Sequence, residues 1–373
     1  MKVLYLGHYK EGTGWSQAAI DYILAMDSVG IDVVCRNVSL TGSNAELPDR
    51  ILELEDKDTD GAEICIQHLL PHHIVGTDSF KKNIAIFVSE STGIRATPWF
   101  TQLEQVDEVW VPSNHMWDTL SRDNLLTTNG IKVVPHAFNL DKYNKNYRVM
   151  SNPETDGNFN FYYIGDMNQR KNIECVLRCF HSEFDPSEPV SLIMKVGKFG
   201  LNPEQVHQEI DNLSNKVKSE LRMYHDESVY KKEAIISVRL SEDDLYALHQ
   251  YADCFIAPSH GEAWSIPAFD AMAFGKTPIC TDFGGPRDYI DKQDKKTGWA
   301  VNAIETVCNC TDAAFREIFT GHENWFTPDE GEIKRAMRFY YENKQDCKTA
   351  GLKRAEKFSY EVVGNMIKEY INV

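Results

Sequence analysis

Residues 260–290 read HGEAWSIPAFDAMAFGKTPICTDFGGPRDYI, and the residues before them, 252–258, form a short apolar run, ADCFIAP, closed by a proline. The run reads as a buried strand. A polar loop holding Glu262 follows, and then a helix. Ser265 stands at the N-cap of that helix, and Pro267 occupies its first turn, where a missing N–H costs nothing. Ala268, Ala271, Met272 and Phe274 carry the helix on, and Gly275 ends it before a second apolar run, 277–281. Strand, loop and helix N-terminus in that order make an anion site, because free N–H groups and the positive end of the helix dipole converge there. Glu262 precedes the helix and Asp270 lies within it. Amides for phosphate beside carboxylates for hydroxyls suit a sugar nucleotide.

The same alternation extends outward in both directions. Toward the N-terminus, strands are expected at 2–6, 31–35, 62–68, 83–88, 108–111 and 131–135. A loop over 7–14 leads to a helix from about 16 to 26, and Ser113 or Asn114 caps a second helix begun by Met116 and Leu120. Residues 141–158 are polar, carry Pro153 and Gly157 and have no period, so they read as a linker. Beyond it, strands are expected at 159–164, 190–196 and 234–240. Asn172 is the expected cap of a helix with Ile173, Val176, Leu177 and Phe180 on one face. Residues 201–230 read as a charged, solvated helical insertion, and 332–343 and 359–371 as closing helices. Strand–helix alternation of this kind builds doubly wound parallel sheets, so the expected fold class is α/β, with two Rossmann-like domains facing a central cleft.

Composition agrees with a two-domain globular chain. At 373 residues it exceeds what one core usually supports, and 42% hydrophobic with 25% charged residues is ordinary for a folded protein. A net charge of −17 argues against a nucleic-acid partner and against a basic membrane-binding face. No apolar run reaches the roughly 18 residues of a membrane span, and the N-terminus lacks a signal-peptide pattern. The nine cysteines are scattered and odd in number, as in a cytoplasmic protein with reduced thiols. Cys308/Cys310 and Cys175/Cys179 have no second pair at zinc spacing, so no metal site is expected from them. Asp56-Lys57-Asp58 and Asp58-Thr59-Asp60 have the paired carboxylates that bind Mg²⁺ beside a diphosphate, but they lie in a charge run that reads as a solvated loop.

The 252–290 stretch resembles the nucleotide-sugar signature of the retaining GT-B glycosyltransferases of family four. That pattern is a glutamate, then Phe-Gly-Leu-Pro, a second glutamate eight positions after the first, and Ala-Met-Ala-x-Gly. This chain has Glu262, Trp264-Ser265-Ile266-Pro267, Asp270 and Ala271-Met272-Ala273-Phe274-Gly275. The resemblance implies that Glu262 orients the donor sugar, that Asp270, one methylene shorter, binds the ribose, and that amides near Ser265 and Ile266 meet the diphosphate. Further clusters add to it. Gly165 to Asn172 (GDMNQRKN) is similar to the family's strand-end loop, whose basic residues clamp the diphosphate, with Arg170 and Lys171 in that part and Asp166 where an arginine is usual. Basic residues at a helix start oppose the helix dipole, a cost easier to accept when phosphate is present. Gly12-Thr13-Gly14, between the first strand and first helix, matches the Gly-rich loop near the donor diphosphate. Glu90, at a strand's carboxyl end, is placed to bind sugar or acceptor hydroxyls, His136 to close a turn, and Gly284-Gly285-Pro286 matches a Gly-Gly loop.

The resemblance thus implies domains at 1–147 (acceptor) and 158–345 (nucleotide-sugar), with the 346–373 segment crossing back to the first. It also implies transfer of a sugar from a UDP- or GDP-sugar to a glycan or other acceptor hydroxyl, with retention, without a metal or other cofactor. Glu262, Lys171 and Arg170 are the catalytic candidates. A nucleotide-sugar epimerase and a non-catalytic nucleotide-sugar binder are the rival readings on the same fold, and a phosphorylase lacks a cofactor-lysine motif. A nicotinamide dehydrogenase is disfavoured because no G-x-G-x-x-G follows the first strand. Trp15, Trp99 and Trp117 are candidates both for stacking on acceptor sugars and for packing.

Overall fold

The computed structural model describes residues 1–126, 130–311 and 318–372. They divide into two compact units, one of residues 1–142, 318–324 and 355–372, the other of 143–311 and 325–354.

The first unit holds six strands, β1 (Lys2–Gly7), β2 (Asp32–Asn37), β3 (Ala62–His68), β4 (Lys82–Ile86), β5 (Glu108–Val111) and β6 (Ile131–Val133), in the order β2-β1-β3-β4-β5-β6. Every neighbouring pair is parallel. A parallel sheet is covered on both faces, and the sequence obeys that: Val33, Val34 and Cys35, then Ile64, Cys65 and Ile66, then Val109, Trp110 and Val111 are all buried. Strands β3 and β5 have the expected bounds. The helices are α1 (Gly14–Ser28), α2 (Asp49–Asp56), α3 (Trp99–Leu103) and α4 (Asn114–Arg122). Thr13 caps α1 and Ser113 caps α4, each accepting a backbone N–H three residues on, at 3.3 Å.

In the second unit the chain runs β7 (Phe159–Asp166), α5 (Ile173–Glu183), β8 (Val190–Gly197), α6 (Pro203–Leu221), β9 (Ala234–Ile236), α7 (Glu242–Tyr251), β10 (Cys254–Ala257), α8 (Ile266–Ala273), β11 (Ile279–Thr281), α9 (Pro286–Tyr289) and β12 (Trp299–Val301). These strands form a parallel sheet in the order β12-β11-β10-β7-β8-β9. Counted from β7, this is the 3-2-1-4-5-6 order of a dinucleotide-binding sheet, and its direction reverses between β7 and β10. A two-stranded sheet, β13 (Ala303–Val307) with β14 (Asn324–Pro328), and the helices α10 (Glu330–Asn343) and α11 (Lys348–Ala355) follow.

Residues 201–230 are no solvated insertion. They carry α6, the crossover from β8 to β9, and its Val206, Ile210 and Val217 lie in one buried cluster with Val176, Phe180 and Leu192. Ser214 and Lys218, on the same buried face, hydrogen-bond the Glu233 carboxylate at 2.7 and 3.2 Å, and His181 also meets it. Burial raises the Glu233 carboxyl, but His181, Lys218 and Ser214 outweigh it and hold it down at about 2.

The last helix, α12 (Tyr360–Ile371), belongs to the first unit and packs along α1. Its buried stripe is Val363, Gly364, Ile367 and Ile371, which leaves the neighbouring Val362 43% exposed. Gly364 explains this orientation: a Cβ there would come within 2.3 Å of the Ala25 carbonyl oxygen, so the helix turns its smallest residue to the contact. No helix among the described residues is long and apolar enough to cross a membrane.

Candidate active site

In the second unit, β7 hands the chain to a single 3₁₀ turn, Gln169–Lys171, before α5 begins. Asn168 Oδ1 accepts the Lys171 amide at 3.0 Å and caps that turn. Asn172 makes no cap bond, contrary to expectation. It sits in the left-handed region at φ +53°, which asparagine tolerates better than most residues. Its side-chain amide donates instead to the Pro258 carbonyl at 3.0 Å, and the His260 amide donates to the Arg170 carbonyl at 2.7 Å. These two bonds tie the exit of β7 to the exit of β10.

That tie brings together three of the expected residues from segments 91 positions apart. Lys171 Nζ lies 2.7 Å from Glu262 Oε1, and Arg170 lies 3.4 Å from Glu262 Oε2 while donating to the Gly261 carbonyl at 2.7 Å. The three side chains are only 18%, 13% and 10% exposed, so the charges are largely desolvated. Burial alone would push the Glu262 carboxyl up; Lys171 and Arg170 outweigh it and hold it below the usual carboxylate range. Glu262 is therefore an ionised acceptor of hydrogen bonds, not a proton donor. The group leaves two cations against one anion at the reversal point of the sheet, where ligands of such sheets bind.

Backbone contacts fix the loop that carries Glu262. Gly284 has φ +67°, and a Cβ on it would lie 1.7 Å from the Glu262 carbonyl oxygen; on Gly285 it would lie 2.4 Å from Trp264 Cα. Trp264 is buried against Phe269 and Tyr289 and supports the loop from beneath. Ser265 makes no side-chain cap for α8, contrary to expectation: it has φ +66°, and its carbonyl accepts the Ala268 and Phe269 amides at 3.1 Å. It stands where the resembled signature has glycine, which explains the left-handed backbone. Ile266 opens the helix one residue on. Asp270 is 3% exposed, and its Oδ1 accepts the phenol of the fully buried Tyr143 at 2.6 Å. Tyr143 was not legible beforehand, since nothing in a polar linker marks one tyrosine as the partner of an acid 127 positions away.

The other expected residues belong to the first unit. Gly12 has φ +65°, Thr13 caps α1 and Gly14 opens it, while Glu90 lies half-buried beyond β4. Around this loop stands a group of rings of which sequence reasoning had singled out only Trp15. Trp15 stacks on His68 at 5.3 Å, Tyr5 Oη meets His68 Nδ1 at 2.8 Å, and His73 lies 5.7 Å from His8. His8 donates from Nδ1 to the Val38 carbonyl at 2.6 Å and accepts the Leu70 amide at Nε2 at 3.1 Å, which fixes its tautomer. Burial holds His68 well below the usual imidazole range. The available signal was position: His8 and His68 stand at the carboxyl ends of β1 and β3, between which this sheet reverses. Trp99 and Trp117 pack on the cluster around Phe87 and Met116.

Over its whole length the chain is similar to solved two-domain structures. HepE of Anabaena, in complex with UDP-glucose, superposes with a TM-score of 0.65 at 11% identity, covering 100% of this chain and 99% of that one. Sucrose-phosphate synthase from Thermosynechococcus elongatus gives 0.66 at 14%, covering 100% and 98%, and the apo form of the lipopolysaccharide outer core galactosyltransferase WaaB gives 0.62 at 13%, covering 100% and 99%. The fold is GT-B. Residues 148–305, which hold Arg170, Lys171, Glu262 and Asp270, match the model of the family "Glycosyl transferases group 1". No match to the sequence is found among curated proteins.

Proposed function

We propose that the protein is a glycosyltransferase that moves a sugar, a hexose in the first instance, from a nucleoside-diphosphate donor to an acceptor hydroxyl with retention at the anomeric carbon. The observation that carries this is the ionised Glu262 held between Lys171 and Arg170, inside the family-matched segment. On this reading the donor diphosphate meets Arg170, Lys171 and the amides around Ser265 and Ile266, with Gly12, Thr13 and Gly14 as its contacts in the first unit. Those groups stabilise charge as it grows on the leaving diphosphate. Glu262 accepts hydroxyls of the sugar, Asp270 takes the ribose, and Glu90 serves the sugar or acceptor. The acceptor oxygen bonds to the anomeric carbon as the bond to the phosphate oxygen breaks, and the acceptor proton passes to that phosphate oxygen. The reading assigns the diphosphate's charge to Arg170, Lys171 and the backbone amides and invokes no metal, and it places the enzyme in the cytoplasm. The UDP-glucose and UDP complexes of HepE make uridine nucleotides the first donors to try.

The test is a thermal-shift and hydrolysis screen against UDP-, GDP- and ADP-sugars, comparing the unmodified chain with Lys171→Ala and Glu262→Ala. One nucleotide sugar is expected to raise the melting temperature by mass action. Its slow hydrolysis is expected to fall by about 10²–10³-fold in each variant, the usual cost of losing one charge-stabilising group. Binding without turnover over many acceptors would instead favour a nucleotide-sugar binder, and release of an altered free sugar an epimerase. No shift with any nucleotide sugar would sink the donor reading.

A further inference from the structure

A cavity of about 750 Å³ in the second unit, the size of a small-molecule site, has no part in the donor reading. It lies against β9, the last strand of the sheet, between α6, the end of α7 and the segment 150–155. Its groups stand toward the amino ends of the strands. Glu233 directly precedes β9, Tyr251 ends α7 just before β10, and Thr155 comes ahead of β7. Arg170, Lys171 and Glu262 instead follow the carboxyl ends of β7 and β10, so the cavity is a separate place on the same unit. On α6 the residues facing it are His207, Asp211, Ser214 and Lys218, a polar stripe at three- and four-residue spacing beside the apolar one.

Lys218 and Glu233 form an ion pair in the cavity wall, with side chains 9% and 5% exposed. Lys218 Nζ lies 3.1 and 3.2 Å from the two carboxylate oxygens, and Ser214 donates to Oε1 at 2.7 Å. Taking two charges out of water costs stability that an apolar pair would keep, so packing alone is a poor reason for them. Perturbed charges in a cleft point to a ligand instead. Lys218 retains an N–H beyond the two turned to Glu233, and Glu233 Oε2 accepts from Lys218 alone among the described residues. Donor and acceptor thus stand side by side at the wall. A hydroxyl, which both donates and accepts, fits such a pair, whereas an ion meets a charge that is already neutralised. Gln208 and Asn215 add exposed amides on the same side. Glu154, Asp211 and Glu227 outnumber Lys232 around the cavity, a balance that repels phosphate. We propose that this cavity binds a neutral oligosaccharide, separately from the donor, through hydroxyls set against Lys218 and Glu233.

The proposal does not depend on the nucleotide-sugar reading, and calorimetry separates the two. Dissociation constants are measured on the full chain for maltotriose, cellotriose and triacetylchitotriose, with inorganic phosphate as the anionic control and the responding nucleoside diphosphate alongside. The variants are Lys218→Met/Glu233→Gln, which removes the pair together and leaves no lone charge buried, and Asn215→Ala. Asn215 is exposed, so its variant reports even where the double variant is unstable. At least one trisaccharide is expected to bind. The double variant should weaken it at least about tenfold and Asn215→Ala about threefold, with nucleotide and phosphate affinities unchanged. No binding of any of the three sugars overturns the proposal. Saccharide affinity unchanged in the variants also overturns it, because the sugar then sits elsewhere. A loss of phosphate affinity in either variant overturns it too, since the cavity would then be an anion site. A chain that binds a trisaccharide here but no nucleoside diphosphate sinks the donor reading and keeps this one.

Discussion

The two sheets of this chain reverse at corresponding places and furnish them in opposite ways. In the second unit the reversal lies between β7 and β10, and there two cations and a carboxylate are packed at 2.7 and 3.4 Å. In the first it lies between β1 and β3, and there the rings of His8, His68 and Trp15 pack together. One architecture thus carries charged side chains at one reversal and aromatic rings at the other. The difference is local, because parallel strands and helix N-termini are common to both and only the residues at the strand ends differ. The charged reversal is the one that suits the diphosphate donor proposed above.

The comparison breaks most readily at Gly285. An alanine there meets the Trp264 backbone at 2.4 Å and must displace the loop that carries Glu262. Gly285→Ala is expected to abolish the donor-induced thermal shift and cut turnover by more than about 100-fold, since misplacing a charge-stabilising group by an ångström costs that much. Retained donor binding would show that the glycine contact does not set the site.

A pH titration sharpens the contrast, because the two regions lose stability to different extents as pH falls. Burial lowers His68 well below its ordinary value, and His136 to about 3. Both bind protons more readily when unfolded, so their contribution is complete above the unfolded value near 6.5 and is lost as pH falls below it. Glu262 and Glu233 are lowered carboxylates, Glu233 to about 2, and their contribution holds until pH falls below the ordinary carboxylate range. Between pH 6.5 and 5 the first unit should therefore lose up to about 3 kcal/mol through His68 and His136, at a limiting 1.36 kcal/mol per histidine per pH unit, and the second less, through the buried His260. Chemical denaturation with unit-specific hydrogen exchange reads this directly, and replacing His68 and His136 by glutamine should flatten the slope. Equal acid sensitivity in both units would refute the assignment.

The smallest effect is expected at Ser265. Its φ of +66° costs a non-glycine residue about 1–2 kcal/mol, and glycine gives part of that back as unfolded-state entropy. Ser265→Gly should raise stability by up to about 1 kcal/mol, measured as a small increase in melting temperature with the donor shift retained. A loss of donor binding would show instead that the hydroxyl matters.

Much of the scaffold was legible because it follows from short-range pattern. β3 and β5 could be bounded to the residue, since apolar runs flanked by polar ones leave little choice. What escaped depended on residues far apart in sequence or on a backbone state that residue type only permits. Asn172 and Ser265 both look like caps, and both are left-handed for reasons set by the turn before or the loop beneath. In α12, Val362 and Val363 are adjacent, and only the closeness of Gly364 to Ala25 decides which faces inward. In α6 the charged residues dominate the eye, although Val206, Ile210 and Val217 recur at helical spacing. The expected candidates Arg170, Lys171 and Glu262 were named from a motif, but their ion pairing was not foreseeable from it.

The placement of α12 also bears on how the chain acquires its structure at the ribosome. Val363, Ile367 and Ile371 fill the same core as Tyr22, Ile23 and Met26, so the apolar flank of α1 waits for the last helix to be synthesised. Every residue of the second unit, up to 354, emerges in between. At about 5–20 residues per second, that interval is on the order of 10–50 s, during which a nascent first unit shows an unfilled groove to the cell and to its folding helpers.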